Sequence, residues 1–313
     1  MTQTAYLIKE ADQSILYALA RFHYLTAKQT NRLLYPNNRS DRGRYVQRLL
    51  KRLVDADYVL RLRALPQPRY GQPEQVFTLA RKGREYLHGM GISVEPYFRP
   101  SEERRVAENS PFMRHRLAAM DVMIAAQCLC RDVPGISCPQ MLSERELKRG
   151  AIRVDIPASP YGNSDGPRKV AVIPDAWFQL SVDGRSPMSI AVELDRATED
   201  QKVWREKVAA YAVWASGPYQ EAFETDNLTI AVVCPDERRC SVLIDWTKRE
   251  LKAREMDEYS QLFLFTAVSP VAVVPERFFF GQVWAQIDSA DAINVIDAPA
   301  QTEREEGVIY QQI

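Results

Sequence analysis

The chain has 313 residues, 46% hydrophobic and 26% charged, and its 41 basic side chains balance 41 acidic ones. A length of this kind suits two domains of roughly 150 residues each. No run approaches the roughly 18 apolar residues of a membrane span, and Met1 to Glu10 lacks the basic segment and long apolar run of a secretory leader, so a soluble, cytoplasmic chain with no membrane partner is expected. The five cysteines form no C-x-x-C pair, and the three histidines lie far apart. Disulfide frameworks, zinc sites and histidine-cluster chemistry are thereby disfavoured.

The balanced total hides an asymmetry. Residues 1–90 carry 16 basic and 7 acidic side chains, a charge of +9, so the remainder carries −9. Within the basic part, Ile15, Leu16, Leu19 and Phe22 give one apolar stripe on a first helix. Thr26 to Gln29 reads as a capping box that opens a second helix, which Pro36 ends. Ser40 or Asp41 caps a third, with Val46, Leu49, Leu50 and Leu53 inward and Arg44, Gln47, Arg48, Lys51 and Arg52 outward. Two strand-like stretches, Tyr58 to Leu65 and Gln75 to Leu79, flank a tip rich in Pro and Gly, and Arg81 to Leu87 forms a short closing helix. This order is that of a winged helix-turn-helix, whose third helix enters the major groove while the wing meets the backbone. Phosphates need cations, and base edges need donors on a rigid helix. The expected contacts to double-stranded DNA are Arg42, Arg44, Gln47, Arg48 and Lys51 from the helix, with Arg61, Arg63 and Arg69 from the wing.

A polar linker follows over residues 96–110, then an α/β pattern. Met113 to Leu129 reads as a helix carrying His115 and Asp121. Val170 to Val182, Met188 to Asp195, Leu228 to Val233 and Leu262 to Val268 read as strands, and Glu199 to Ala215 and Arg238 to Ala253 as helices. Met141 to Ile156 mixes short strand signals with charge. A sheet with a helix on each face is implied. Asp183-Gly184 is a strong hairpin turn. A turn there sets Asp175 opposite some residue from 192 to 195, and Glu193 and Asp195 share a face of their strand. Three carboxylates converging in apolar surroundings would repel one another, and a divalent cation resolves the repulsion. Lys207 and Tyr211, one turn apart on the next helix, can bring a cation to the same place, although Tyr211 sits on a face that reads as core. His115 reads as a satisfied core group, and Glu144 and Glu146 as solvated or salt-bridged.

Pro174-Asp175 followed by Glu193-x-Asp195 resembles the PD-(D/E)xK nuclease core. Joined to the basic N-terminal module and the segment Ser143 to Leu147, the pattern resembles the replication-relaxation family over residues 10 to about 270. That family is similar to, and includes, the MOBC class of plasmid relaxases. The resemblance implies an α+β or α/β fold, with a winged helix over 10–95 and a restriction-endonuclease-like mixed sheet with flanking helices over 111–284. It also implies metal-dependent nicking of DNA at a plasmid or mobile-element origin of transfer or replication. Asp175, Glu193 and Asp195 would be ligands of Mg²⁺ or Mn²⁺, with Lys207 a further catalytic candidate. Where nucleases of this type place Lys two residues after the Glu, this chain has Asp195, so the charge-stabilising cation is unassigned at that position. Covalent attachment through a tyrosine stays open, because none of the fourteen is singled out. The rival expectation is a non-catalytic DNA-binding regulator or replication accessory protein with a degenerate nuclease-like domain. Accessory mobilisation or replication proteins are the further partners considered, a homodimer is left open, and residues 285–313 read as an acidic, disordered tail.

Overall fold

The computed structural model describes residues 6–35, 43–62, 74–94, 110–161, 166–197 and 200–299. The chain combines helices with mixed β-sheet and divides into two compact units, Met1–Ile124 and Ala125–Ile313.

In the first unit, α1 (Glu10–Phe22) buries Ile15, Leu16, Leu19 and Phe22. After β1 (Leu25–Thr26), the Thr26 hydroxyl accepts from the Gln29 backbone N–H at 3.2 Å, and the Gln29 side chain accepts from the Thr26 N–H at 3.0 Å. This reciprocal cap opens α2 (Ala27–Leu34) as the sequence predicts. Helix α3 (Arg44–Asp55) buries Val46, Leu49, Leu50 and Leu53, and follows Gly43, whose φ of 80° lies in the left-handed region that glycine adopts without strain. The expected cap at Ser40 or Asp41 lies outside the described residues. Strands β2 (Val59–Arg61) and β3 (Val76–Leu79) pair antiparallel, and β1 pairs with β3, giving the order β1-β3-β2. Helix α4 (Arg81–Gly89) packs so closely that a Cβ at Gly83 would lie 2.2 Å from the Tyr58 carbonyl oxygen.

Helix α5 (Ser110–Asp132) carries the boundary between the units inside it, at residues 124 and 125. The expected division at residue 111 is therefore displaced. Met113 and Leu117 join Tyr24, Leu62 and Val76 in one apolar cluster, and Gln29 donates to the Leu117 carbonyl at 2.8 Å, so the first half of the helix belongs to the basic unit.

In the second unit, β4 (Ile136–Ser137), β5 (Met141–Ser143), α6 (Glu144–Arg149) and β6 (Ile152–Ile156) come first, then β7 (Arg168–Val172), β8 (Ala176–Val182) and β9 (Met188–Leu194). Next are α7 (Gln201–Ala215), α8 (Pro218–Phe223), β10 (Thr229–Val233), α9 (Glu237–Ala253), a 3₁₀ turn at Asp257–Leu262, β11 (Phe263–Thr266) and α10 (Pro275–Phe280). The main sheet runs β11-β10-β9-β8, with β4 and β5 both on the outer edge of β8. Strands β9, β10 and β11 are parallel, and β8 is antiparallel to its neighbours. Trp177 joins the apolar cluster that contains Trp204 and Val208 of α7, whereas the adjacent Phe178 meets Phe279 of α10 with ring centroids 6.2 Å apart. Successive strand residues point to opposite faces, so the sheet carries helices on both.

Two expectations are corrected. Val170 to Val182 is two strands rather than one: β7 pairs with β6 in a separate ribbon, and the chain breaks at Ile173, Pro174 and Asp175 before β8 begins. Pro174 has no N–H to give a ladder, which accounts for the break. The acidic segment expected as a disordered tail is ordered up to residue 299. Ala285 exchanges backbone hydrogen bonds with Phe265, Ile293 does so with Trp284, and Ile287, Val295 and Ile296 are buried. Anchoring by three isolated aliphatic side chains in irregular backbone leaves no periodicity to read. Residues 300–313 lie outside the described part.

Candidate functional site

The site in the second unit is built on the β8-β9 hairpin. Its turn lies where Asp183-Gly184 predicts, with the Arg185 N–H donating to the Val182 carbonyl at 2.9 Å and Gly184 at φ 77°. Ala176 stands opposite Val192, so the register carried one residue further sets Asp175 opposite Glu193, inside the expected window. The Asp175 N–H donates to the Val192 carbonyl at 3.0 Å, and its Oδ2 accepts from the Leu194 N–H at 2.9 Å. Asp175 thus caps the ladder where Pro174 cannot continue it.

Glu193 is 2% exposed. Helix α7 starts at Asp200, whose side chain accepts from the Val203 N–H at 2.9 Å, and this start phases Lys207 and Tyr211, i and i+4, onto one line facing the strand. Lys207 Nζ lies 2.9 Å from Glu193 Oε2, and the Tyr211 hydroxyl donates to Oε1. Burial, reinforced by the charge of Asp175, pushes the Glu193 carboxyl up to about 7, while the Lys207 ammonium and the Tyr211 hydroxyl oppose the rise. Lys207 thus reaches Glu193 from the helix, fourteen residues further along the chain.

Asp195 is occupied differently. Its N–H donates to the Val233 carbonyl at 3.0 Å. Its buried carboxylate accepts a fork from Arg239, Nε at 2.7 Å and Nη2 at 2.9 Å, and also the Ala197 N–H at 3.0 Å. Arg239 stands in the first turn of α9, after the N-cap Asp236. The three acids are thus not gathered into one ligand set, and among the described residues no three His, Cys, Asp or Glu side chains converge to hold a metal ion. The residues that fit a divalent cation by their chemistry are the half-buried Asp175 and the buried Glu193, whose carboxyl is raised first by burial and then by the Asp175 charge. Asp195 is held by three donors, two on Oδ2 and one on Oδ1.

The remaining candidates have local partners. Asp121, in the first unit, accepts from Gln29 Nε2 at 3.0 Å, and burial raises its carboxyl to about 6. Glu144 pairs with Lys148, and Glu146 accepts from the Ser143 N–H and hydroxyl, both at 2.8 Å, in the cap of α6. The spacing of Tyr211 reads as core, and its ring does pack against Phe263; its hydroxyl end is what joins the site. Arg239 left no sequence signal beyond the rule that a buried acid needs a partner.

On the first unit, Arg44, Gln47, Arg48 and Lys51 are exposed along α3, and Arg61 is exposed on β2. Gln47, Lys51 and Arg61 help line a hollow of about 420 Å³ between α2, α3 and the β2-β3 ribbon. Arg42, Arg63 and Arg69 lie outside the described residues. No described helix is long and apolar enough to cross a membrane.

The chain thus joins a basic unit of helices and a small sheet to a mixed-sheet unit that brings Lys207 and Tyr211 onto the buried Glu193. The profile of the replication-relaxation family matches residues 16–227, and the chain belongs to that family, which points to a role in replication or relaxation of DNA. No curated protein and no solved structure matches the chain significantly.

Proposed function

We propose that the protein binds double-stranded DNA through its N-terminal unit, acting as a winged helix, and nicks it through the second unit, acting as a PD-(D/E)xK-like nuclease at a plasmid or mobile-element origin. The observation that carries this reading is Asp175 facing the buried Glu193, with Lys207 on the glutamate. The lysine that the E-x-D sequence lacks is replaced by one from α7. Asp175 and Glu193 would hold Mg²⁺ or Mn²⁺, which when bound lowers the pKa of water and stabilises the leaving oxygen of a phosphodiester. Tyr211 fixes Glu193 by its hydroxyl. Lys207, with its side chain 34% exposed, is placed to neutralise charge developing on a phosphate that reaches the acid pair. Asp195 and Arg239 hold the end of β9 to the start of α9 and so position the strand.

On α3 the exposed Arg44, Gln47, Arg48 and Lys51 suit phosphate and base-edge contacts, and Arg61 suits a wing contact. The test is incubation with supercoiled plasmid carrying the neighbouring genomic region, with Mg²⁺, Mn²⁺ or EDTA. Asp175→Ala is expected to abolish metal-dependent open circles while duplex binding stays within a few-fold; retained cleavage by that variant would refute the assignment. One observation favours a second reading, a DNA-binding regulator with an inactive nuclease-like unit: Arg239 closes Asp195, leaving two acids where three were expected. That reading predicts salt-sensitive DNA binding with no product under any metal.

A further inference from the structure

The hollow of about 420 Å³ in the first unit is walled by both elements that the DNA-binding reading uses. Gln47 and Lys51, one turn apart on α3, line it from the helix, and Arg61 lines it from β2. Lys28 of α2 completes the rim, with its side chain 83% exposed. The floor is apolar: Phe77 of β3 is buried, and Ala27 and Val54 are half-buried. Cations around an apolar floor match a nucleic-acid strand, whose phosphates are charged and whose deoxyribose carbons are not. A strand that touches both α3 and the β2-β3 ribbon passes between them, and the hollow lies there.

Two of the three cations are already engaged by acids of the same wall. Lys28 Nζ lies 3.7 Å from Glu74 Oε1, and Lys51 Nζ lies 3.9 Å from Asp55 Oδ2. Both separations exceed a hydrogen bond, and exposed pairs of this kind contribute little to stability, so a phosphate can take over either lysine at small cost. The Glu74 and Asp55 side chains are 32% and 64% exposed, which leaves them facing water beside the place where the phosphate would sit. A carboxylate there repels the phosphate as well as competing for its lysine. Because phosphates carry no sequence, this opposition acts on every duplex alike and leaves contacts to base edges to select the site.

We propose that the hollow seats one backbone phosphate and its deoxyribose, with Lys28, Lys51 and Arg61 on the phosphate, and that Glu74 and Asp55 hold down sequence-independent affinity by competing for the two lysines. The inference rests on the reading of the first unit as a DNA-binding module. The test is fluorescence anisotropy of the full chain at several salt concentrations with two labelled duplexes, one from the neighbouring genomic region and one of scrambled sequence. Lys28→Ala is expected to weaken binding to both and to lower the slope of log K against log salt by about one. Glu74→Gln and Asp55→Asn are each expected to tighten binding to both duplexes by about threefold, with thermal unfolding unchanged. A wild-type slope in Lys28→Ala, or unchanged or weaker binding in either acid variant, would overturn the inference while leaving DNA binding itself in place. Weakening confined to one duplex would overturn it too, by making the acid a base contact. Failure of the wild-type chain to bind either duplex would remove the DNA-binding reading, and this inference with it.

Discussion

Replacing Glu193 by Gln tests the electrostatics of the acid pair without touching DNA. In the fold the carboxyl rises from its ordinary 4.5 to about 7, with burial the largest cause. At about 1.4 kcal/mol per unit, the rise corresponds to about 3 kcal/mol. Because the folded value lies above the unfolded one, the stability held at pH below 4.5 is lost as pH climbs through 7: the unfolded chain releases this proton first. Glutamine carries no such proton. Relative to wild type, the Gln variant is therefore expected to gain about 3 kcal/mol between pH 4.5 and pH 8, with most of the gain complete near pH 7. The assay is urea unfolding of both proteins across that range, taking the difference so that all other titrations cancel. The glutamine keeps an amide oxygen that can accept from Lys207, so the loss on that side is small and nearly independent of pH in this range. A difference that stays flat from pH 4.5 to 8, or that falls as pH rises, would refute the account of Glu193 as a carboxyl strained by burial.

Two further outcomes follow. Arg48→Ala on the exposed face of α3 is expected to weaken duplex binding across sequences and to lower the slope of log K against log salt by about one, measured by fluorescence anisotropy at several salt concentrations; an unchanged slope would remove Arg48 from the phosphate contacts. Arg239→Ala leaves the Asp195 carboxylate buried with only the Ala197 N–H, and a loss of about 3–5 kcal/mol is expected in denaturant unfolding; a loss below about 1 kcal/mol would mean that the fork contributes little to the fold.

Much of this arrangement was legible in the chain because the signals were local. Thr26 and Gln29 form the reciprocal cap their spacing predicts. Asp183-Gly184 fixes the hairpin register, and with it the facing of Asp175 and Glu193. Lys207 reached the glutamate because fourteen residues of strand end, cap and helix turn happen to phase it there, and its i, i+4 relation to Tyr211 was readable. What sequence could not supply was the fate of Asp195. Its partner Arg239 is 44 residues away on another helix, and only the crossing from β10 to α9 brings it near. Pro174 did carry a readable warning, since a proline within an apolar run ends a ladder, and the single long strand expected there ignored it. Gln29 bonding to Leu117 and Asp121 is likewise a contact between distant segments, and it moved the division between units into a helix that looked continuous.

The two edges of the main sheet are finished in different ways. Strand β11 reads Phe-Leu-Phe-Thr and is buried throughout, the kind of apolar strand that recruits a second chain when its outer hydrogen-bonding groups are open. Here Ala285 takes the two bonds of Phe265 on that side, while on the far edge β4 and β5 divide the length of β8 between them, too short to serve as templates. The irregular segment beyond α10, held by Ile287, Val295 and Ile296, thus acts as a gatekeeper. A chain that lost its grip there would leave the outer backbone groups of Phe265 without partners from Ala285.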